Sequence, residues 1–245
     1  MVWTLVRRGL AAGLVAGLLA GAFAFLVGEP RIEDAIEMEE ASSPRASVSL
    51  TPTVAAVNDW VVSRDEQRGG LFLATTLYGT AVGGLFGVGF ALLRGRGASR
   101  TDWQLSIRLA AALFLAVVLV PFLKYPPNPP AVGSSETIAD RTEYYLIVLA
   151  GSLLALLAAA RVAWSVRENA QPWVRPLLAA GTFIAVAGGL ALALPGIDEV
   201  RPDFPASLLW EFRISSLGTQ AVLWAALGVG FGIASHRTVT RPFPA

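Results

Sequence analysis

The chain has 245 residues, of which 54% are hydrophobic and only 15% charged, and its 19 basic and 18 acidic residues leave a net charge of +1. With a mean hydropathy of +0.58 it is too apolar for a soluble domain and belongs in the lipid bilayer. The absence of cysteine and the single histidine exclude thiolate and histidine-cluster metal sites, and the lack of a basic domain argues against nucleic acid as a partner.

A span needs roughly 20 mainly apolar residues to cross about 30 Å of hydrocarbon. Windows of that kind predict an all-α, polytopic bundle of six transmembrane helices, forming one membrane domain, at about 5–27, 70–93, 103–123, 144–164, 175–195 and 214–235. Short cytoplasmic loops collect Lys and Arg. Arg7, Arg8, Arg94, Arg96, Arg100, Arg108, Arg161, Arg167, Arg175, Arg237 and Arg241 fall on one side of this arrangement, with only Asp102 and Glu168 as acids among them. That side is expected to be cytoplasmic and to hold both termini, which makes the chain a multi-pass membrane protein.

In the first span Gly9, Gly13, Gly17 and Gly21 recur at every fourth position, a flat stripe that lets another backbone approach closely. Arg7-Arg8 ahead of an apolar run ending in Ala22-Phe23-Ala24 also fits a cleaved signal sequence. The length of the run and the glycine stripe favour a retained helix. Residues 28–69 read as an acidic extracytoplasmic loop opening with a short helix, on which Glu33, Glu37 and Glu40 share one face while Ile32, Ala35 and Ile36 lie on another. An acidic face is a solvated face or a surface that gathers cations. The second span repeats the glycine device in Gly79, Gly83 and Gly87, which predicts packing within the bundle, with homo-oligomer contacts as the alternative.

The third span leads through Pro121 and Lys124 into the 124–143 loop, whose "PPNPP" stretch holds Pro127, Asn128 and Pro129. No helix continues through such a sequence, so it reads as a stiff connector or as a cap over the outer mouth of the bundle, with Lys124 and Tyr125 at the headgroups. Each odd span ends near a proline and each even span begins among mixed charges, as in three parallel hairpins. In the sixth span Ser216 and Gln220 stand on one helical face in line with Phe212 and Trp224, placed to line a pore or to bond a neighbouring helix. Trp3, Trp103, Trp164, Trp173 and Trp210 fall at expected interfaces, as an aromatic belt should.

The stretches "GEPRIEDAIEMEEA", "VLVPFLKYPPNPPAVGSSETIADRT" and "FPASLLWEFRISSLGTQAVLW" together resemble the CbtA family of cobalt transporter subunits, in its actinobacterial form. The resemblance implies a multi-pass subunit of the bacterial inner membrane linked to cobalt or cobalamin supply, usually accompanied by a small histidine-rich membrane subunit, CbtB. It also singles out Glu29, Lys124, Pro127, Asn128, Pro129, Arg141, Arg213, Gln220 and Trp224 as recurrent positions of the family. Cobalt would be cargo, with no cofactor expected, and no residue is singled out as a resident metal ligand. Any contact with the ion inside this chain must use carboxylate, amide, hydroxyl or carbonyl oxygens, which suits weak, exchangeable binding. His236, alone at the cytoplasmic edge, reads as a surface residue.

Helix ends of equal depth place the expected cation mouth where Glu29, Asn128, Glu143 and Glu211 meet, with Arg141 and Arg213 orienting the carboxylates. The sequence contains no Ser/His/Asp arrangement, phosphate-cradling glycine loop or HExxH, so an enzyme is not expected. A membrane assembly or regulatory subunit that stabilises a partner without itself transporting is the competing function.

Overall fold

The computed structural model describes residues 2–42, 64–95, 101–130, 132–133, 137–167 and 169–236. Arg96, Arg100, Glu136, Glu168, Arg237, Arg241, the stretch 43–63, and the side chains of Glu40, Asp65 and His236 lie outside the described residues. The described residues form helices and connections, with no strand among them. Among the described residues six helices are long and apolar enough to cross a membrane.

The helices are α1 (Val2–Phe23), α2 (Glu29–Ser42), α3 (Arg64–Leu93), α4 (Asp102–Leu113), α5 (Val120–Lys124), α6 (Ile138–Ser165), α7 (Val174–Ala193) and α8 (Ala206–His236). A π-helical turn, Ala24–Gly28, joins α1 to α2, and a second, Phe114–Leu119, joins α4 to α5. Both turns stand just ahead of a proline, Pro30 or Pro121. Inside an α-helix a proline ring collides with the carbonyl four residues back and offers no N–H. The wider π turn shifts the pairing, so that Glu29 N–H bonds to Ala24 O and Val120 N–H to Leu115 O, and both helices pass their proline. By contrast α7 stops short of its proline, at Ala193 before Pro195. Its partner is α6, while α8 packs along α1 and α4, so the third hairpin of the sequence does not close on itself.

The tightest contact is between α1 and α3, where the two glycine stripes face each other in antiparallel register. A Cβ built on Gly79 would lie 2.6 Å from Gly13 O, one on Gly83 2.7 Å from Gly13 Cα, and one on Gly87 2.7 Å from Leu5 O. On Gly17 it would lie 2.8 Å from Thr76 Cα. At these distances only glycine fits, and the stripes are consumed within one chain. Beside this pair α8 brings Leu223, Leu227 and Phe231 against Phe86 and Phe90 of α3 and Leu109 of α4, which makes the main apolar core. Ser106 Oγ donates to Gly228 O at 2.7 Å and Ser152 Oγ to Ala116 O at 2.5 Å, so two hydroxyls stitch neighbouring helices through backbone carbonyls. Ala116 belongs to the second π turn.

Alternating helix directions collect Arg7, Arg8, Arg94, Arg108, Arg161, Arg167 and Arg175 at one end of the bundle. At the other end a small second core joins Ala35 of α2 to Val132, Phe204 and Leu208, folding α2 and two connections into a cap above the spans. Trp3, Trp103, Trp164, Trp173 and Trp210 are exposed, and Trp224 is buried.

Candidate functional site

The acidic end is organised by the proline-rich connection. Leaving α5, the chain presents Lys124 Nζ to Leu194 O at 2.8 Å and Tyr125 OH to Pro195 O at 2.7 Å. Both therefore cover carbonyls at the end of α7, where a cation also meets the negative end of the helix dipole, rather than reaching for headgroups. The next residues run extended, because four prolines forbid a helix, and Pro129 is fully buried. A proline contributes a carbonyl and no N–H, so the strap presents acceptors: Arg213 of α8 donates Nε to Pro127 O at 3.3 Å and Nη2 to Asn128 Oδ1 at 2.9 Å. The chain then turns at Gly133, whose φ of +136° is accessible to glycine and strained for other residues.

Asn128 hands this bond on. Its Nδ2 donates at 3.3 Å to Oε2 of Glu199, in the connection between α7 and α8, and Arg141 Nη1 donates to the same oxygen at 2.6 Å. The Thr137 hydroxyl donates to Oε1. The Glu199 side chain is only 4% exposed. The Thr137 hydrogen bond does most to hold its carboxyl below the ordinary 4.5; burial pushes the other way, and the charge and hydrogen bond of Arg141, with Asn128, complete the lowering. The cluster surrounds a cavity of about 40 Å³, also lined by Tyr125, Asp198 and Val200, with room for about one water molecule. With its oxygens engaged by three donors, Glu199 serves as a clasp between the strap, α6 and the α7–α8 connection and is a poor ligand for a passing ion.

Of the residues expected at a common mouth, Asn128, Arg141 and Arg213 meet here. Glu29, Glu143 and Glu211 do not line this cavity. Glu29 is 7% exposed at the first residue of α2, Glu143 is exposed on α6, and Glu211 pairs with Arg31 of α2 at 2.7 Å. Pro127 supplies a carbonyl and Lys124 a helix cap, while Gln220 lies deeper along α8 with Oε1 enclosed and without a hydrogen-bond partner. Among the described residues no group of three or more His, Asp or Glu side chains is placed to hold a metal ion.

Nothing in the sequence singles out Glu199. No local pattern could have marked it, because its partners lie 58 to 71 residues away. Around the clasp Asp34, Glu37 and Glu39 of α2, Asp140 and Glu143 of α6, and Asp198 and Asp203 are exposed. The acidic end therefore carries a negative field.

The family model described as "Probable cobalt transporter subunit (CbtA)" matches residues 2–236. No curated protein and no solved structure matches the chain.

Proposed function

The chain belongs to the CbtA family, the probable cobalt transporter subunits, and from that premise we propose that it gathers divalent cobalt at the acidic end of a six-span bundle and passes it inward beside a partner. It is a multi-pass membrane subunit. The observation that carries the reading is the polarity of charge: exposed carboxylates crowd the end that carries the clasp, and arginines crowd the opposite end. A negative field raises the local concentration of a dication more steeply than that of a monovalent ion. Oxygen donors hold it weakly enough to release.

Soft or imidazole ligands must come from elsewhere, which supports a small histidine-rich, CbtB-like membrane subunit as the partner. Nothing in the site calls for catalysis, and its chemistry is binding and passage. Glu29 is the acid best placed to guide the ion, since it sits buried where the first π turn meets α2.

The test is cobalt flux into vesicles holding this chain with the histidine-rich partner. Glu29→Gln should lower uptake several-fold. The triple change of Asp34, Glu37 and Glu39 to amides should raise the half-saturating cobalt concentration at low salt and have little effect at high salt, where screening shortens the field to about 3 Å at 1 M. No flux with both subunits present would remove the transport reading and leave an assembly subunit.

A further inference from the structure

Inward of the clasp, the packed side of α8 stays polar for two more turns. Arg213, Ser216, Gln220 and Trp224 succeed one another at three- and four-residue spacing and so share one side of the helix. Leu223, Leu227 and Phe231 continue that side into the main core, whereas Ala221, Ala225 and Val229 on the other side are exposed. Ser216 and Gln220 lie on this packed side and are nevertheless only half-buried.

Two enclosed polar atoms on this side have no hydrogen-bond partner: Gln220 Oε1 and the Nε1 of Trp224, a residue 5% exposed. Lipid can satisfy neither. Across from them runs the fourth-to-fifth helix segment in antiparallel register. A Cβ on Gly232 would lie 2.7 Å from Trp103, and one on Gly228 2.7 Å from Ala110. Counting outward from those contacts brings Gln220 and Trp224 level with the π turn Phe114–Leu119, where regular α-helical pairing is interrupted.

We propose that Gln220 and Trp224 form a hydration site, the foot of a water-filled crevice that descends from the clasp along α8. One is an acceptor and the other a donor, and water alone among small ligands answers both, donating to Oε1 and accepting from Nε1. A bare dication fits neither, since an indole N–H repels it and no carboxylate lies on this stretch of α8 to offset its lost hydration. If the transport reading holds, on which this role of the site rests, cobalt reaches the level of Gln220 with its water shell intact. Inward of Trp224, Leu227 and Phe231 with Phe86 and Phe90 close the way.

The chain has no cysteine, so single cysteines report water directly. A thiol ionises and reacts with a charged methanethiosulfonate only where water reaches it. In membranes permeabilised on both faces, Ser216→Cys and Gln220→Cys should react at least tenfold faster than Ala225→Cys on the lipid side or Leu227→Cys below the foot. Rates at Ser216 and Gln220 no higher than at Ala225 overturn the crevice, and a fast Leu227→Cys overturns its closed foot. Ser216→Cys changes a single atom and decides the matter alone if Gln220→Cys is not recovered in the membrane. Labelling is read without cobalt: reactive cysteines with no cobalt flux would remove the transport reading and keep the crevice, and unreactive cysteines with normal flux would do the reverse.

Discussion

The Glu199 carboxylate is held by donors from two separate segments, Asn128 on the strap and Thr137 and Arg141 at the start of α6, so its charge matters more than its volume. Glu199→Gln keeps the shape and removes the partner of Arg141. We expect it to destabilise the protein in detergent by about 2 kcal/mol. The contribution follows pH in a defined direction. The folded pKa is lowered, so the stabilisation is fully present above the ordinary carboxylate value of 4.5 and is lost as pH falls through the lower folded value. The difference in melting between the natural chain and Glu199→Gln should therefore stay constant from about pH 8 down to about pH 6 and shrink in acid. A difference that grew on acidification would mean that Glu199 is not held as a carboxylate. Arg213→Lys should cost about 1 kcal/mol, because an ammonium cannot span Pro127 O and Asn128 Oδ1 with a planar fork.

Glycines on different helices have opposite roles. On α1 and α3 they let two backbones touch, and a side chain at Gly17 or Gly83 must displace an entire helix. On α7 the glycines Gly181 and Gly189 have nothing within 4 Å of an added Cβ. Thermal denaturation of purified protein should then show Gly83→Leu strongly destabilised, with little folded chain recovered, and Gly189→Leu unchanged or slightly improved by better helix propensity. Equal tolerance at the two positions would contradict the α1–α3 packing. The π turns make a second contrast. Pro30→Ala and Pro121→Ala remove the ring that favours each widened turn, yet the Ala116 carbonyl stays engaged by Ser152, so the second turn is the better anchored of the two.

Across the whole molecule, charge is polarised between the two ends of the bundle, and the membrane orientation it predicts is open to direct test. On the positive-inside rule the arginine end is expected in the cytoplasm and the clasp outside. Asp203→Cys, exposed beside the clasp, should react with an impermeant thiol reagent in intact cells, and Asn169→Cys, between α6 and α7, only after permeabilisation. The reverse pattern would invert the topology and, with it, the direction in which the acidic field works.

Hydropathy and the spacing of arginines were enough to determine the six spans and the separation of charge, because lipid admits only helices that satisfy their own backbone and each must be long and apolar. The glycine periods are likewise written in the chain, but that α1 and α3 use them on each other is a fact of packing. The prolines announced interruptions without saying that two helices would pass them through π turns, since the outcome depends on neighbours such as Ser152 that take up the displaced carbonyls. Only tertiary structure separated Glu211, paired with Arg31, from the clasp and placed Glu199 at its centre. In a membrane chain the solvent selects the spans one by one from local composition, whereas the hydrogen bonds at their ends are chosen among partners remote in sequence, and only the fold brings those together.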